Sequence, residues 1–288
     1  MFLRATLRTL TGLLLLAALS GVAQAQILPW KIGIDSSFRT EFLFGNQIFL
    51  YRWPRGTQFD RFRMEFGPRL PLISGTCEVS PTLRLSARVA GAASVLAKHS
   101  SFFHTALDPQ PRAWDVLPEF RQWEVAGLVH LWTGGGYRFS FVGGFRKEYW
   151  KYIGGPAGDQ QADSDLREQF TSTIPFIALQ TALHFPWWKA RFEFLGSPFM
   201  GKDISAQIRE GTDMVSYSGS AEKGGIIELD MEGTAAIGPR LRLGLHCRYT
   251  YQELYGEATR DQDGDVSLHP VSVDENIAVV GLNLTLVF

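Results

Sequence analysis

Residues 30–44 put Ile32, Ile34, Phe38, Phe42 and Phe44 on one parity and Lys31, Asp35, Arg39 and Glu41 on the other. A period of two predicts a strand with one apolar and one charged face. The pattern recurs at 59–70, where Phe62, Met64, Phe66 and Leu70 oppose Arg61, Arg63, Glu65 and Arg69, and at 240–256, where Leu241, Leu243, Leu245, Cys247, Tyr249 and Tyr251 oppose Arg240, Arg242, His246 and Arg248. Carried along the chain, it predicts ten strands, at 30–44, 59–70, 82–96, 119–132, 137–151, 169–185, 188–201, 226–236, 240–256 and 275–288. Several exceed the about 5–6 residues usual for a strand in a soluble sheet. They suit tilted strands that cross a bilayer, which need about 9–11 residues.

The connections alternate in length. Those at 45–58, 97–118, 152–168, 202–225 and 257–274 are long, whereas 133–136, 186–187 and 237–239 are short and built from Gly, Pro and Trp. Short turns on the periplasmic side and long loops outside are the rule for an outer-membrane barrel. The connection at 71–81, with Pro71, Gly75, Cys77 and Pro81, is longer than that rule expects and leaves an eight-strand count open. Aromatic residues fall near predicted strand ends, with Trp30, Trp132, Tyr137, Trp187 and Trp188 at the periplasmic interface and Tyr149, Trp150, Tyr152, Tyr249, Tyr251 and Tyr255 at the outer one. Amphipathic rings favour these two girdles.

The first 25 residues read separately. Arg4 and Arg8 precede an apolar run containing Leu13 to Leu16, and Ala23-Gln24-Ala25 supplies small residues before a cleavage point. This is the pattern of a secretory signal peptide, with the barrel occupying 26–288. No later stretch approaches 18 consecutive apolar residues, so crossing by a helix is not expected. The 28 basic and 29 acidic residues nearly cancel, which excludes a global positive field for nucleic acid. Cys77, in a predicted periplasmic turn, and Cys247, on the lipid-facing parity, read as free thiols.

The last strand places Ala278, Val280, Leu282, Leu284, Leu286 and Phe288 in alternation and stops on Phe. With the signal peptide, this resembles the C-terminal strand of Gram-negative outer-membrane β-barrel proteins. The resemblance implies an all-β antiparallel transmembrane barrel, contact with outer-membrane lipid and lipopolysaccharide, and recognition of Phe288 by the barrel-assembly machinery. Ten strands also invite comparison with the omptin proteases, which carry an acidic pair and an Asp-His pair at the outer rim. Here Asp-x-His is absent and no close acidic pair falls on the upper part of a predicted strand, so no catalytic residue is carried over.

If the apolar parity faces lipid, the other faces the lumen. Its candidate residues are Arg39, Glu41, Arg61, Arg63, Glu65, Arg84, Arg88, Arg191, Glu228, Asp230, Arg242, His246 and Arg248, and the same parity carries Arg138, Arg146, Lys189 and Glu193. A three-residue turn at 237–239 sets Asp230 opposite His246 and Glu228 opposite Arg248, while a five-residue turn sets Glu232 opposite Arg242 and Glu228 opposite His246. Two readings follow. The lumen is packed by ion pairs, which suits a barrel this narrow, or it is a passage for small anionic solutes with Arg61, Arg63, Arg69, Arg84 and Arg88 as its selective stripe.

Signals for catalysis are weaker. His99, His104 and Asp108 share one loop, and His269 follows Asp261, Asp263 and Asp265, with no nucleophile fixed nearby. Asp261-Gln262-Asp263-Gly264-Asp265 starts like a calcium loop but has Val266 and Ser272 where Gly and Glu belong. No bound cofactor is implied. The sequence therefore predicts an outer-membrane barrel acting as a narrow channel or structural barrel, with an outer-surface hydrolase or a loop-mediated adhesin as the alternative.

Overall fold

The computed structural model describes residues 35–55, 58–67, 69–80, 83–90, 114–156, 164–198, 200–210, 213–262 and 264–287. The segment expected to be a signal peptide (residues 1–25), Trp30, His99, His104, Asp108 and Phe288 lie outside them. The described strands are β1 (Asp35–Arg55), β2 (Gln58–Phe66), β3 (Arg69–Ser80), β4 (Leu83–Ala90), β5 (Trp114–Gly134), β6 (Tyr137–Pro156), β7 (Ser164–His184), β8 (Trp188–Ser197), β9 (Gly201–Glu210), β10 (Asp213–Ala236), β11 (Leu241–Gln262) and β12 (Asp265–Val287).

These twelve segments make ten antiparallel staves. β2 and β3 lie end to end against β1, with a break between Phe66 and Arg69, and β8 and β9 lie end to end between β7 and β10, interrupted around Pro198. Proline lacks the N–H that a ladder requires, so both breaks fall where the sequence places it. β12 closes the ring on β1 from Asp35↔Val287 to Tyr51↔Val271. The ten expected staves are all present. The puzzling stretch at 71–81 is ladder rather than loop, because β3 runs to Ser80 and pairs with Leu83 of β4, which removes the eight-strand alternative. Cys77 accordingly sits on β3, and both Cys77 and Cys247 are free thiols.

Apart from 97–113, which lie outside the described residues, the described parts of the expected long outer loops are mostly strand. Residues 45–55 continue β1, 152–156 continue β6, 202–210 form β9, and 257–262 and 265–274 are the paired ends of β11 and β12. The reason is a change of solvent along each stave. In one band the outward side chains are apolar and bare, among them Leu131 (57% exposed), Ile177, Phe194, Leu245 and Leu282, the belt that lipid covers. Beyond it, outward positions turn polar at Arg121, Lys147, Gln169, Asp203 and Glu257. The apolar parity there points inward, burying Phe49, Phe66, Phe120, Trp150, Tyr152, Phe170, Leu254, Val271 and Val273. Trp150 and Tyr152 are thus core residues rather than members of the outer girdle, while Tyr249, Tyr251 and Tyr255 do face outward.

The short turns are tight. Gly135 and Gly136 form a two-residue reversal with φ of 58° and 83°, a conformation L side chains rarely adopt. Phe185 N–H donates to the Trp188 carbonyl across Pro186-Trp187. At the β10–β11 turn, Ile237 and Gly238 both donate to the Leu241 carbonyl. The reversal is therefore Gly238-Pro239-Arg240, one residue later than expected, and the ladder pairs Asp230 with Arg248 and Glu232 with His246. Neither expected register is adopted.

Gly281 of β12 is opposite both His246 of β11 and Glu41 of β1. An added Cβ there would lie 2.4 Å from the Thr40 carbonyl oxygen and 2.7 Å from Glu41 Cγ. Gly281→Val is expected to destabilise the closed barrel by at least the about 1–3 kcal/mol of an overpacked interior. It would be read as a lower urea midpoint and less of the fast-migrating unboiled gel band; wild-type behaviour would contradict the crowding.

Candidate functional site

Period-two strands that face lipid with one parity must turn the other into a narrow lumen, and here that parity is charged at belt height. Five arginines, His246 and six carboxylates meet there in one continuous network. Arg146 of β6 holds Glu228 of β10 through two bonds of 2.7 and 2.8 Å and Glu124 of β5 at 3.0 Å from Nε. Arg84 of β4 reaches across to Glu193 of β8 at 2.6 and 2.8 Å and shares Glu124 at 3.1 Å. Arg248 of β11 donates to Asp230 at 2.6 and 2.8 Å and approaches Glu228 at 3.2 Å. Arg191 lies 2.9 Å from Glu232 and 3.4 Å from Asp230, and Arg39 of β1 completes the lattice on Glu232 at 2.5 Å.

His246 stands between two acids, with Nε2 3.1 Å from Asp230 and Nδ1 2.5 Å from Glu41. Glycine at 281, on the stave between them, leaves the space through which His246 and Glu41 meet. Neutral groups fill remaining valences: Ser74 donates to Glu41, Gln180 to Glu193, Thr250 to Glu228 and Asn283 to Glu232. Paired guanidinium forks and carboxylates gain charge-assisted bonds in place of water. Removing one partner strands the other in a low-dielectric interior.

The network is dry. Arg146 is 1% exposed, and Arg84, Glu124, Glu193, Glu228, Asp230 and His246 are all buried. A water-filled passage would show as exposure on the residues that wall it; these have almost none, and the partly exposed members, Arg191 and Glu232 at 15%, border the cavity at the turn end.

A second layer sits above the charges. Phe66 stacks on Tyr152 at 4.1 Å, Trp150 lies parallel to Tyr152 at 6.0 Å, and Phe120 packs on Trp150 at 4.4 Å. Lys202 of β9 is wholly buried here, paired with Glu275 and 4.5 Å from the Phe170 ring centroid. Tyr152 donates to Gln47, which in turn donates to Glu275. In this layer above the belt, burial pushes the Glu168 carboxyl well above the usual carboxylate range; Lys202 opposes the shift and Glu275 adds to it.

Of the residues expected in the lumen, Arg39, Glu41, Arg84, Arg191, Glu228, Asp230, His246 and Arg248 share this network. Arg242 lies below it, in a cavity at the turn end. The side chains of Arg61, Arg63, Glu65 and Arg88 are outside the described residues. The backbone nevertheless breaks up the proposed basic stripe, since β2 carries Arg61 and Arg63 opposite Arg52 and Leu50, high on β1, and Arg84 is held by two carboxylates. Glu124 was not singled out; its signal was the polar parity of Gln122 and Glu124 between Trp123 and Val125. The expected Asp230–His246 and Glu228–Arg248 contacts form diagonally, at 3.1 and 3.2 Å, although the register differs.

The acidic turn is a hairpin end, with Gly264 N–H bonded to Asp261 at 3.0 Å and φ of 85° at Gly264. No cluster suited to a metal ion occurs among the described residues. His269 is buried on β12, 2.7 Å from the Ser267 hydroxyl.

No protein-family model matches the chain, and no curated protein matches it by sequence. Among solved structures, the outer membrane protease OmpT from Escherichia coli superposes with a TM-score of 0.76, covering 91% of this chain and 99% of that one at 9% identity. The translocator domain of the autotransporter NalP from Neisseria meningitidis aligns over 97% of this chain and 96% of its own at 10% identity and a TM-score of 0.37. OprG from Pseudomonas aeruginosa does so over 88% and 97% at 9% identity and 0.30. The two lower scores carry no weight. The first likeness is one of fold: this chain is a ten-stave barrel of the outer-membrane class, and no protease chemistry is transferred at that identity.

Arg146→Ala leaves Glu124 and Glu228 without their main partner and is expected to lower stability by about 3–5 kcal/mol. Arg121, 61% exposed beside Glu119, is the control; its alanine variant should cost under about 1 kcal/mol. Equal urea midpoints for the two variants would show that the lattice does not act as a buried unit.

Proposed function

We propose that this protein is a sealed, non-conducting outer-membrane barrel whose bilayer-level lumen is a structural plug and whose working surface is the strand-built projection beyond the lipid belt. One observation carries the reading: the Arg–carboxylate lattice spans the lumen with its central members, Arg84, Glu124, Arg146, Glu193, Glu228 and Asp230, buried. Of the two interiors that the sequence allows, the geometry supports ion-pair packing over an anion passage. Pairing engages Arg84, Arg146 and Arg248 at the centre of the lumen, which would otherwise attract permeant anions, and the aromatic layer around Trp150 and Tyr152 adds a second closure.

The apolar belt supports residence in lipid. Contact of its outer half with lipopolysaccharide, and recognition of Phe288 by the assembly machinery, belong to the same proposal. The projection is a stiff platform because paired strands, not open loops, carry it outward. In planar bilayers, the refolded signal-cleaved protein is expected to give no steady conductance. The combined variant Glu124→Ala, Arg146→Ala, Glu228→Ala, which removes the centre of the lattice without leaving those charges unpaired against one another, is expected to conduct. Stable ohmic steps from the wild type would overturn the sealed reading.

A further inference from the structure

Below the lattice, the turn end of the lumen opens into a cavity of about 90 Å³. Among the described residues, its lining carries Arg39, Arg138, Lys189, Arg191 and Arg242, with one acid, Glu232. That acid is already engaged by Arg39 and Arg191 in the cavity roof. Among the described lining residues, cationic side chains thus outnumber acidic ones.

The donors are incompletely used. Arg138 Nε, Arg191 Nε, Arg39 Nε and Arg242 Nη1 are buried nitrogens without a hydrogen-bond partner, and the Arg39 side chain is only 3% exposed. Buried donors ordinarily find partners. Four buried, unpartnered N–H groups on residues that line one cavity, where the one acid among the described lining residues is already engaged, suit an anion from outside the chain.

We propose that the periplasmic mouth of this barrel binds a compact tetrahedral oxyanion of the phosphate class. Guanidinium forks match the oxygen geometry of phosphate, and a low-dielectric recess concentrates the field of several cations on it. A water needs about 10–15 Å³ of such space, so the cavity has room for a group of several heavy atoms. The sealed lattice above makes it a blind recess, a clause that rests on the preceding proposal; the binding chemistry does not.

The test is calorimetric titration of the folded protein in detergent, at low ionic strength and in a phosphate-free buffer, with inorganic phosphate. Acetate serves as the carboxylate control and glycerol 3-phosphate as a monoester. Saturable phosphate binding, weaker by at least tenfold for acetate and for the variant Arg138→Gln, Arg242→Gln, is the expected result. Tighter binding of glycerol 3-phosphate would assign the site to a phosphate monoester, and weaker binding to the free ion. The variant's fold is checked by its fast-migrating unboiled gel band; if it is lost, Arg138→Lys alone, which keeps the charge and loses the fork, should still weaken phosphate several-fold. No saturable heat with the wild type, or unchanged affinity in the folded variant, would overturn the proposal. Since no membrane gradient is involved, a barrel that conducts yet binds phosphate loses only the sealed reading, and a silent barrel that ignores phosphate loses only this one.

Discussion

The structure depends on keeping charge inside a narrow tube at the height of the lipid belt. Water hydrates such groups in an open porin, but here the walls lie too close, and each guanidinium is held by carboxylates from other staves. Arg84 bridges β4 to β5 and β8, Arg146 joins β6 to β5 and β10, and Arg39 ties β1 to β10. Arg84–Glu193, Arg146–Glu228 and Arg39–Glu232 run across the ring between staves that share no backbone ladder, while both contacts to Glu124 join neighbours. The lattice is a poor source of net stability by itself, because desolvation offsets much of the attraction. Its effect is to make one arrangement of staves far better than the alternatives, since any slip leaves a buried charge unmatched.

The second constraint is that one strand passes through two surroundings. In the belt, lipid requires apolar side chains outside and tolerates paired charge inside. Above it, water requires polar side chains outside and the tube needs an apolar filling. Both halves obey a period of two, but the apolar parity changes sides between them, from Phe139, Phe141 and Phe145 facing out on β6 to Trp150 and Tyr152 facing in. Alternation therefore revealed the lower halves of the staves and concealed the upper ones. A search for one continuous apolar face ends the strand where the face inverts, which is why 152–168, 202–225 and 257–274 read as loops.

The candidate site was legible to the same extent. Parity alone identified Arg39, Glu41, Arg84, Arg191, Glu228, Asp230, His246 and Arg248 as inward-facing, because the opposite parity in each strand is apolar. Partner choice was not legible, since it depends on closure around the ring: nothing local to β4 indicates that Arg84 meets Glu193 109 residues away. Nor does local sequence show that Gly281 lets His246 reach Glu41 across a stave. The one-residue displacement of the Gly238-Pro239-Arg240 turn shifted a whole ladder, yet the long side chains still reached the expected partners diagonally.

The central claim, that the lattice divides the lumen into two compartments with no passage between them, is tested most directly by thiol accessibility from each side. With Cys77 and Cys247 replaced by Ser, Thr76→Cys puts a single thiol on the wall of the lower cavity. In proteoliposomes of known orientation, a small charged methanethiosulfonate reagent should modify that thiol rapidly from the periplasmic face and not from the outer face. Equal labelling from both faces would contradict the account, since it would require a continuous aqueous path through the residues that the structure buries.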